Sequence, residues 1–404
     1  MNGEPNTQDA FLFSPSSSYP RPLACLVDRD GDLVHAWSNT TGQPNPATDP
    51  PSYLRGWNHV ELAADGSLYA MVPLHALLKL RPNSSLAWKT ELPVHHDLDF
   101  GPGGEIYALT ERPRTVRRRG GRHVVLDNFI TIISPEGNVM ENHSLYDLLT
   151  TQPAIRSLID SRVARRITTP GSTAPTNLDV LCDRTGRDAS RMLRGLPGSP
   201  CDILHANTLE ILHTHPHGLW NNGDVLVSLR DLDLIAVLDL RAQQVRWWWG
   251  PQELSAQHQP SALPNGNLLV FDNGQKMRRS RPLELDPVTG AVVWQYTADP
   301  PQALFSPMAG GCERLPSGNV LISDAQAGRA IEVTSGGHIT WTLQIHTRQR
   351  SASANSRCEI YRIAAAPTGV TVHLSGGASH ARHLAWLRVQ CRTDRAPLPA
   401  GTSP

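Results

Sequence analysis

The chain lacks an excess of charge of either sign. Its 404 residues include 37 basic and 37 acidic ones. Apart from one cluster, Arg114 to Arg122, no basic stripe is visible, which argues against a nucleic-acid partner. That cluster reads as a solvated loop between strands, with contact to an anionic substrate as the sharper alternative. No apolar run reaches the roughly 18 residues that a membrane-spanning helix needs, so no membrane segment is expected. The first residues, Met1 to Ala10, show no basic stretch followed by an apolar one, so a signal peptide is not expected there. The six cysteines never take a Cys-x-x-Cys metal spacing. Cys182 and Cys201 flank a loop rich in Pro, Gly and Ser, and Cys358 and Cys391 lie on two sides of an expected hairpin. In an exported protein both pairs are candidate disulfides. Cys25, inside an apolar strand, reads as a buried thiol.

Turn residues are abundant instead, with 31 glycines and 33 prolines. A turn followed by a short strand ending in tryptophan recurs along the chain. The copies end at Trp37, Trp88, Trp247, Trp294 and Trp341, and Pro135-Glu-Gly-Asn-Val-Met-Glu is a sixth, degenerate copy without its tryptophan. Between these closures lie glycine-turn hairpins such as Leu263-Pro-Asn-Gly-Asn-Leu-Leu-Val-Phe and Leu315-Pro-Ser-Gly-Asn-Val-Leu-Ile. Alternating patterns with turns at short spacing predict an all-β fold. Repeats of roughly 45 residues with four strands are propeller blades, so six closures predict a six-bladed β-propeller. It is expected to span 22–395 as a single domain, with 1–21 as an N-terminal extension and 396–404 as a tail. The strand near Pro22–His35 is expected to share a blade with C-terminal strands near Cys358–Ile363 or His383–Val389. Residues 144–201 interrupt the repeat. Apolar residues at helical spacing predict one or two helices over 144–166. The rest, 168–201, reads as a long loop, and long loops often cover active sites.

Four histidine phrases stand just ahead of probable strands, each followed by a glycine turn: Trp57-Asn58-His59, His95-His96-Asp97, Asp202-Ile-Leu-His205-Ala-Asn207 and Gln257-His258-Gln259. Matched positions of a repeated unit point toward one axis, which makes these histidines a candidate site. A neutral imidazole at His258 can attack an electrophilic sulfur or phosphorus, though a structural channel histidine has the same sequence. His205 and Asn207, two apart in a strand, share a face and can donate to an oxyanion; Asn207 can equally be a turn former. Arg230, after the apolar run Leu226–Leu229, offers a bidentate fork to sulfate or phosphate, or a salt bridge to Asp231 or Asp233. Strand alternation lets only one of His95 and His96 reach the cavity, and Asp97 can orient an imidazole. The count back from the turn glycine favours His96 and leaves His59 an outside candidate. Asn273 is a turn former by default and an outside candidate too. His213, His215 and His217 read as surface loop.

Converging imidazoles also make metal sites, so His59, His96, His205 and His258 could ligate zinc, copper or iron in an oxidoreductase or lyase. An arginine at the same place disfavours a cation and favours an anionic group. A non-catalytic ligand-binding propeller is the third reading.

The ordered set Leu26-Val-Asp-Arg-Asp-Gly-Asp-Leu-Val-His-Ala-Trp37, His95-His-Asp97, His205-Ala-Asn207, Val227-Ser-Leu-Arg230, Gln257-His-Gln-Pro260, Leu269-Val-Phe-Asp-Asn-Gly274 and Glu313-Arg-Leu-Pro-Ser-Gly-Asn-Val-Leu-Ile322 resembles the arylsulfotransferase family. The resemblance implies a six-bladed propeller that moves a sulfuryl group from an aryl sulfate to a phenol in two displacements. It implies no nucleotide donor and no cofactor. It casts His258 as the transiently sulfurylated histidine, with His205, Arg230 and one of His95/His96 holding the sulfuryl oxygens. Asn207 becomes a supporting donor. Together with the candidate disulfides, it implies a periplasmic or secreted protein. In some relatives an N-terminal domain covers the site, and the resemblance implies that the insertion at 144–201 replaces it here.

Overall fold

The recurring tryptophans are the clasps of a ring. In the computed structural model, Trp88 Nε1 donates to Pro135 O at 2.9 Å, Trp247 to Pro287 O at 3.1 Å, Trp294 to Ser335 O at 2.8 Å and Trp341 to Arg29 O at 2.8 Å. Each indole thus leaves the outermost strand of one blade and enters a turn of the next. At Trp37 the adjacent His35 takes over the bond, its Nε2 lying 2.8 Å from Pro82 O. The structure describes residues 10–15, 21–45, 47, 56–57, 59–118, 121–168, 186–196, 199–347, 360–367, 369–370, 374 and 387–393.

The fold is all-β, with six antiparallel blades and a small helical insertion. From the axis outward, blade 1 is Ile360–Ala365, Phe11–Pro15, Leu23–Val27 and Leu33–Ser38. Blade 2 runs from His59–Leu62 to Leu86–Thr90, blade 3 from Val94–Phe100 to Val139–Ser144, and blade 4 from Ala206–Ile211 to Gln244–Trp249. Blade 5 runs from His258–Ala262 to Val292–Gln295 and blade 6 from Gly311–Arg314 to Ile339–Thr347. Each seam between blades has its own apolar core. Between blades 1 and 2, small residues such as Ala24 and Ala70 alternate with the larger Leu68, Leu78 and Trp37, which close the seam. Burying a leucine or valine at such a seam is worth about 1.5–3 kcal/mol, so the seams hold the ring together.

Blade 1 closes the circle from both ends of the chain, which removes the exposed edge an open ring would present. Of the two expected partners, Ile360–Ala365 is the one used. Leu387–Thr393 instead extends blade 6 as a fifth strand. Phe11–Pro15, expected within an N-terminal extension, is a strand of this blade. The reason is packing: all five residues are buried, and Phe11 stacks on Trp341 with ring centroids 4.6 Å apart.

The insertion differs from expectation in one element. The helices α1 (Leu145–Thr150) and α2 (Pro153–Thr168) fall where helical spacing predicts them. A third, α3 (Gly186–Arg194), forms inside the expected loop. Its Ala189 and Leu193 pack against Val124, Leu126 and Cys201. Tertiary contact thus stabilises a helix too short to be stable alone. The basic run is likewise not a loop. Its described residues belong to a long hairpin in which Arg118 pairs with Gly121, and Arg114 is held by Asp127 and Asp147. Cys182 and Cys358 lie outside the described residues, so neither disulfide expectation is placed. Among the described residues no helix is long and apolar enough to cross a membrane.

Inside the ring, inner-strand carboxylates stitch one blade to the next. Asp97 accepts from Leu209 N at 3.1 Å, Asp99 from Ile211 N at 2.7 Å, Glu210 from Ala262 N at 3.0 Å and Glu313 from Ala365 N at 3.1 Å. Inner strands have no further neighbour in their own sheet, and these bonds satisfy amides that would otherwise be buried unpaired. The belt lines a cavity of about 520 Å³. Burial raises Asp97 to about 6 and Glu210 to about 8.

Candidate active site

The inner strands do not begin smoothly. Pairing slips between Val94 and Leu98, between Ala206 and Thr208, and between His258 and Ser261. His96 lies inside the first of these irregularities and His205 immediately before the second, with φ of 63° and 49°. A non-glycine residue in that region is strained, and bulges beside active sites re-aim side chains. The imidazoles of three consecutive blades, His96, His205 and His258, stand at these strand entrances. The rings of His96 and His205 lie 4.8 Å apart.

His258 is fully buried at the start of the inner strand of blade 5. Its Nδ1 faces two acceptors, Asn273 Oδ1 at 2.8 Å and Ala256 O at 3.1 Å. Asn273 cannot present its amide nitrogen instead, because Nδ2 donates to Ser306 O at 2.5 Å and Ala309 O at 2.9 Å. The proton therefore sits on Nδ1. Nε2 keeps its lone pair, and it is buried with no hydrogen-bond partner. Burial pulls the His258 pKa down to about 3; the Asn273 bond opposes this, and the nearby charges of Arg230 and His205 add to it. At neutral pH the ring is an uncharged imidazole with a bare nitrogen, the state a nucleophile needs. At pH 5 the ring is expected to remain neutral with its proton on Nδ1. Long-range proton–nitrogen spectra read this directly, and protonation near pH 6 would contradict it.

His205 is built differently. Its Nδ1 meets Asp202 Oδ2 at 2.6 Å, and its backbone N–H reaches Asp202 Oδ1 at 3.2 Å. Burial alone would raise the Asp202 carboxyl, but the Arg194 guanidinium and then His205 hold it far below the usual range. A histidine backed by an ionised carboxylate is suited to carrying a proton. His96 and His95 touch through their Nδ1 atoms at 2.8 Å. The positive φ at His96 breaks the alternation expected of a regular strand, so the two rings meet rather than part. His96 turns toward His205, and His95 lies buried behind it with Nε2 3.9 Å from Glu111. Burial is the main cause that lowers both, His95 to about 3 and His96 well below its ordinary value.

Arg230 makes the expected salt bridge to Asp231 and leaves part of its fork uncommitted. Nη1 pairs with Asp231 Oδ1 at 2.8 Å, while Nε is buried with no hydrogen-bond partner and Nη2 reaches only Met308 Sδ at 3.9 Å. Asn207 spends Nδ2 on Gln257 O at 2.8 Å, which ties blade 4 to the residue before His258. His59 turns away from the other three. Its Nε2 lies 2.9 Å from Glu61 and 3.2 Å from Asp97, in a network with Arg362. Among the described residues, His59, Glu61 and Asp97 are the group whose ligand atoms lie within 4.8 Å of one another. His215 is buried against Trp220 and bonds Gly266 O at 3.1 Å, whereas His213 and His217 are exposed.

A sequence profile of the arylsulfotransferase family (ASST) matches residues 87–346. The chain belongs to the arylsulfotransferase family. No curated protein matches it. Solved structures with a similar fold include a protein of unknown function from Bacteroides caccae, at 12% identity and TM-score 0.47, covering 89% of this chain and 99% of that one. A streptogramin B lyase gives 9% identity and TM-score 0.44, again with 89% and 99% covered. A catalytically inactive virginiamycin B lyase from Staphylococcus aureus gives 9% and 0.42, with 83% and 84% covered. Identities this low say nothing about chemistry.

One residue of the candidate site in this arylsulfotransferase-family chain escaped sequence reasoning. Tyr361, on the inner strand of blade 1, is buried with its ring centroid 5.9 Å from His96, 6.0 Å from His59 and 6.2 Å from His258. Its hydroxyl donates to Asn207 O at 3.2 Å. It separates the candidate catalytic imidazoles from the His59 network. The signal was present: Tyr361 stands eight residues before Gly369, as His258 does before Gly266 and His96 before Gly104. Blade 6 has Gly310 at that place before Gly318, where a side chain would run into Ser323 O and the Phe271 ring.

Proposed function

We propose that this chain moves a sulfuryl group from an aryl sulfate to a phenol through a sulfurylated His258, with no nucleotide donor. The observation that carries the reading is the bare, buried Nε2 of His258, whose tautomer is imposed by Asn273. In the first displacement Nε2 attacks sulfur, an N–S bond forms and the S–O(aryl) bond breaks. The Nδ1 proton stays on the ring, so the sulfurylated ring is cationic and a good leaving group. The Asp202-backed imidazolium of His205 gives its Nε2 proton to the departing phenoxide. In the second displacement neutral His205 takes the acceptor phenol's proton, its oxygen attacks sulfur and the N–S bond breaks.

Charge in such a transfer gathers on the peripheral oxygens, as in phosphoryl transfer, so fixed cations and donors stabilise it best. Arg230, with an N–H not already committed, and His96 are the groups that would supply this. The decisive test is mass spectrometry after incubation with an aryl sulfate and no acceptor. A sulfuryl adduct is expected on His258, and discharged by added phenol. An adduct on another residue, or none under turnover conditions, would sink the proposal.

A further inference from the structure

The inserted segment reaches the backs of the site residues. Arg194, the last residue of α3, places Nη1 2.8 Å from Asp202 Oδ2, the oxygen that also holds His205 Nδ1. Its Nε lies 3.1 Å from each oxygen of Glu111, and its Nη2 also bonds Glu111. Glu111 has no exposure and stands behind His95, which touches His96. One guanidinium therefore joins the carboxylate behind His205 to the carboxylate behind the His95–His96 pair. The same segment repeats the device on the other side, where Arg162 of α2 bonds Asp231, the partner of Arg230.

We propose that Arg194 is a positioning residue that sets the orientation and proton placement of His205 and of the His95–His96 pair together. This rests on the sulfuryl-transfer reading for its catalytic consequence, though not for its structural one. Two carboxylates buried this close repel one another unless a cation lies between them. Only a planar fork bonds both at once; a lysine ammonium is a single point charge and cannot copy it. Without the fork, Asp202 Oδ2 loses one of the two side chains that bond it, and Glu111 loses the guanidinium that bonds both its oxygens. Glu111 must then take up a proton or draw one onto His95. Either event changes which nitrogens in the site carry protons. α3 itself is anchored independently, by Leu193 and Ala189 in the hairpin core and by Ser190 Oγ on Glu111 O at 3.2 Å. Loss of the guanidinium is therefore separable from loss of the helix.

The test uses the full chain with ring-labelled histidine and three variants: Arg194→Gln, Arg194→Lys, and Arg194→Gln combined with Glu111→Gln. Imidazole proton–nitrogen spectra report tautomer and hydrogen bonding, and steady-state rates with an aryl sulfate and a phenol report catalysis. In Arg194→Gln the His95, His96 and His205 signals are expected to move while those of His258 stay. The rate constant kcat should fall at least tenfold with KM changed less than threefold, and Arg194→Lys should not restore it. In the double variant, which also removes the orphaned carboxylate, the His205 signals should remain displaced; this arm decides the matter if the single variant fails to fold. Unmoved His205 signals in any folded variant lacking Arg194, or full activity in Arg194→Lys, overturn the proposal. If the native protein transfers no sulfate, the spectra still test Arg194, and only the sulfuryl-transfer reading falls.

Discussion

Replacing His258 by alanine is expected to lower sulfuryl exchange between an aryl sulfate and a phenol by roughly 10⁴-fold or more, while the ring stays folded. The size follows from the role. A general acid or an oxyanion donor removed alone leaves the covalent route in place, but removing the nucleophile removes the route. What remains is direct transfer between two phenols held near Arg230 and His205, with no intermediate to divide the barrier. The structural cost is modest by comparison. Asn273 Oδ1 loses the partner it holds at 2.8 Å, a penalty of about 1–3 kcal/mol for a buried acceptor. The six seam cores are untouched, since none of them includes His258. Release of a chromogenic phenol measures the rate, and a thermal melt measures the fold. A folded variant within tenfold of the native rate would remove His258 from the mechanism.

The ring itself was legible because its physics is local. A blade needs a turn, a short apolar strand and a clasp, and each leaves a mark within about ten residues of chain. Even the copy without tryptophan kept its Glu136-Gly137-Asn138 turn, and it occupies the outer strand of blade 3 as the repeat requires. Closure was harder to read, because blade 1 takes its inner strand from residues more than 300 positions away from the other three. Phe11–Pro15 carries no tryptophan and no glycine turn, so nothing in the repeat marked it. Tyr361 was missed for a related reason. It holds the position of the histidines in its blade, but a phenol there breaks the run of imidazoles, and only the eight-residue spacing to the turn glycine marks it.

The site was legible in membership more than in geometry. His96 and His258 stand eight residues before their turn glycines, and sequence spacing reaches that far; His205 stands eighteen before Gly223. The bulges at the strand entrances do not show in spacing. A regular strand sends His95 and His96 to opposite faces, whereas a φ of 63° at His96 brings their Nδ1 atoms to 2.8 Å. Spacing did set His59 apart, since Asn58 holds the place eight before Gly66, but it could not show that His59 meets carboxylates at Glu61 and Asp97. Asn273 is the sharpest contrast. As Asp272-Asn273-Gly274 it reads as a turn, and the chain does turn there, with Gly274 at φ 59°. Its side chain nevertheless sets the chemical state of His258, because the turn delivers Oδ1 to Nδ1 across the top of blade 5.

Asn273→Leu is expected to lower kcat by roughly 10³-fold with little change in KM. The change keeps the branching and the number of heavy atoms and leaves His258 in place, so it tests the tautomer rather than the nucleophile. In the native site two acceptors hold the Nδ1 proton, and Asn273 is the nearer of them, at 2.8 Å against 3.1 Å for Ala256 O. Leucine leaves one acceptor, out of which the ring can rotate or shift its proton to Nε2. A proton on Nε2 removes the lone pair that attacks sulfur, and loss of the partner that fixes a catalytic imidazole's tautomer costs on the order of 10⁴ in a comparable triad. The remaining bond to Ala256 O makes the expected loss somewhat smaller here. Stability should fall too, by about 1–3 kcal/mol for each carbonyl, Ser306 O and Ala309 O, that loses its donor. Rates are therefore compared at a temperature where circular dichroism shows both proteins folded. Proton–nitrogen spectra should show His258 losing its single Nδ1–H form in proportion to the rate. A leucine variant that keeps the Nδ1–H tautomer and still loses the rate would move Asn273 from holding the ring to some other task. One that keeps both would show that Ala256 O suffices.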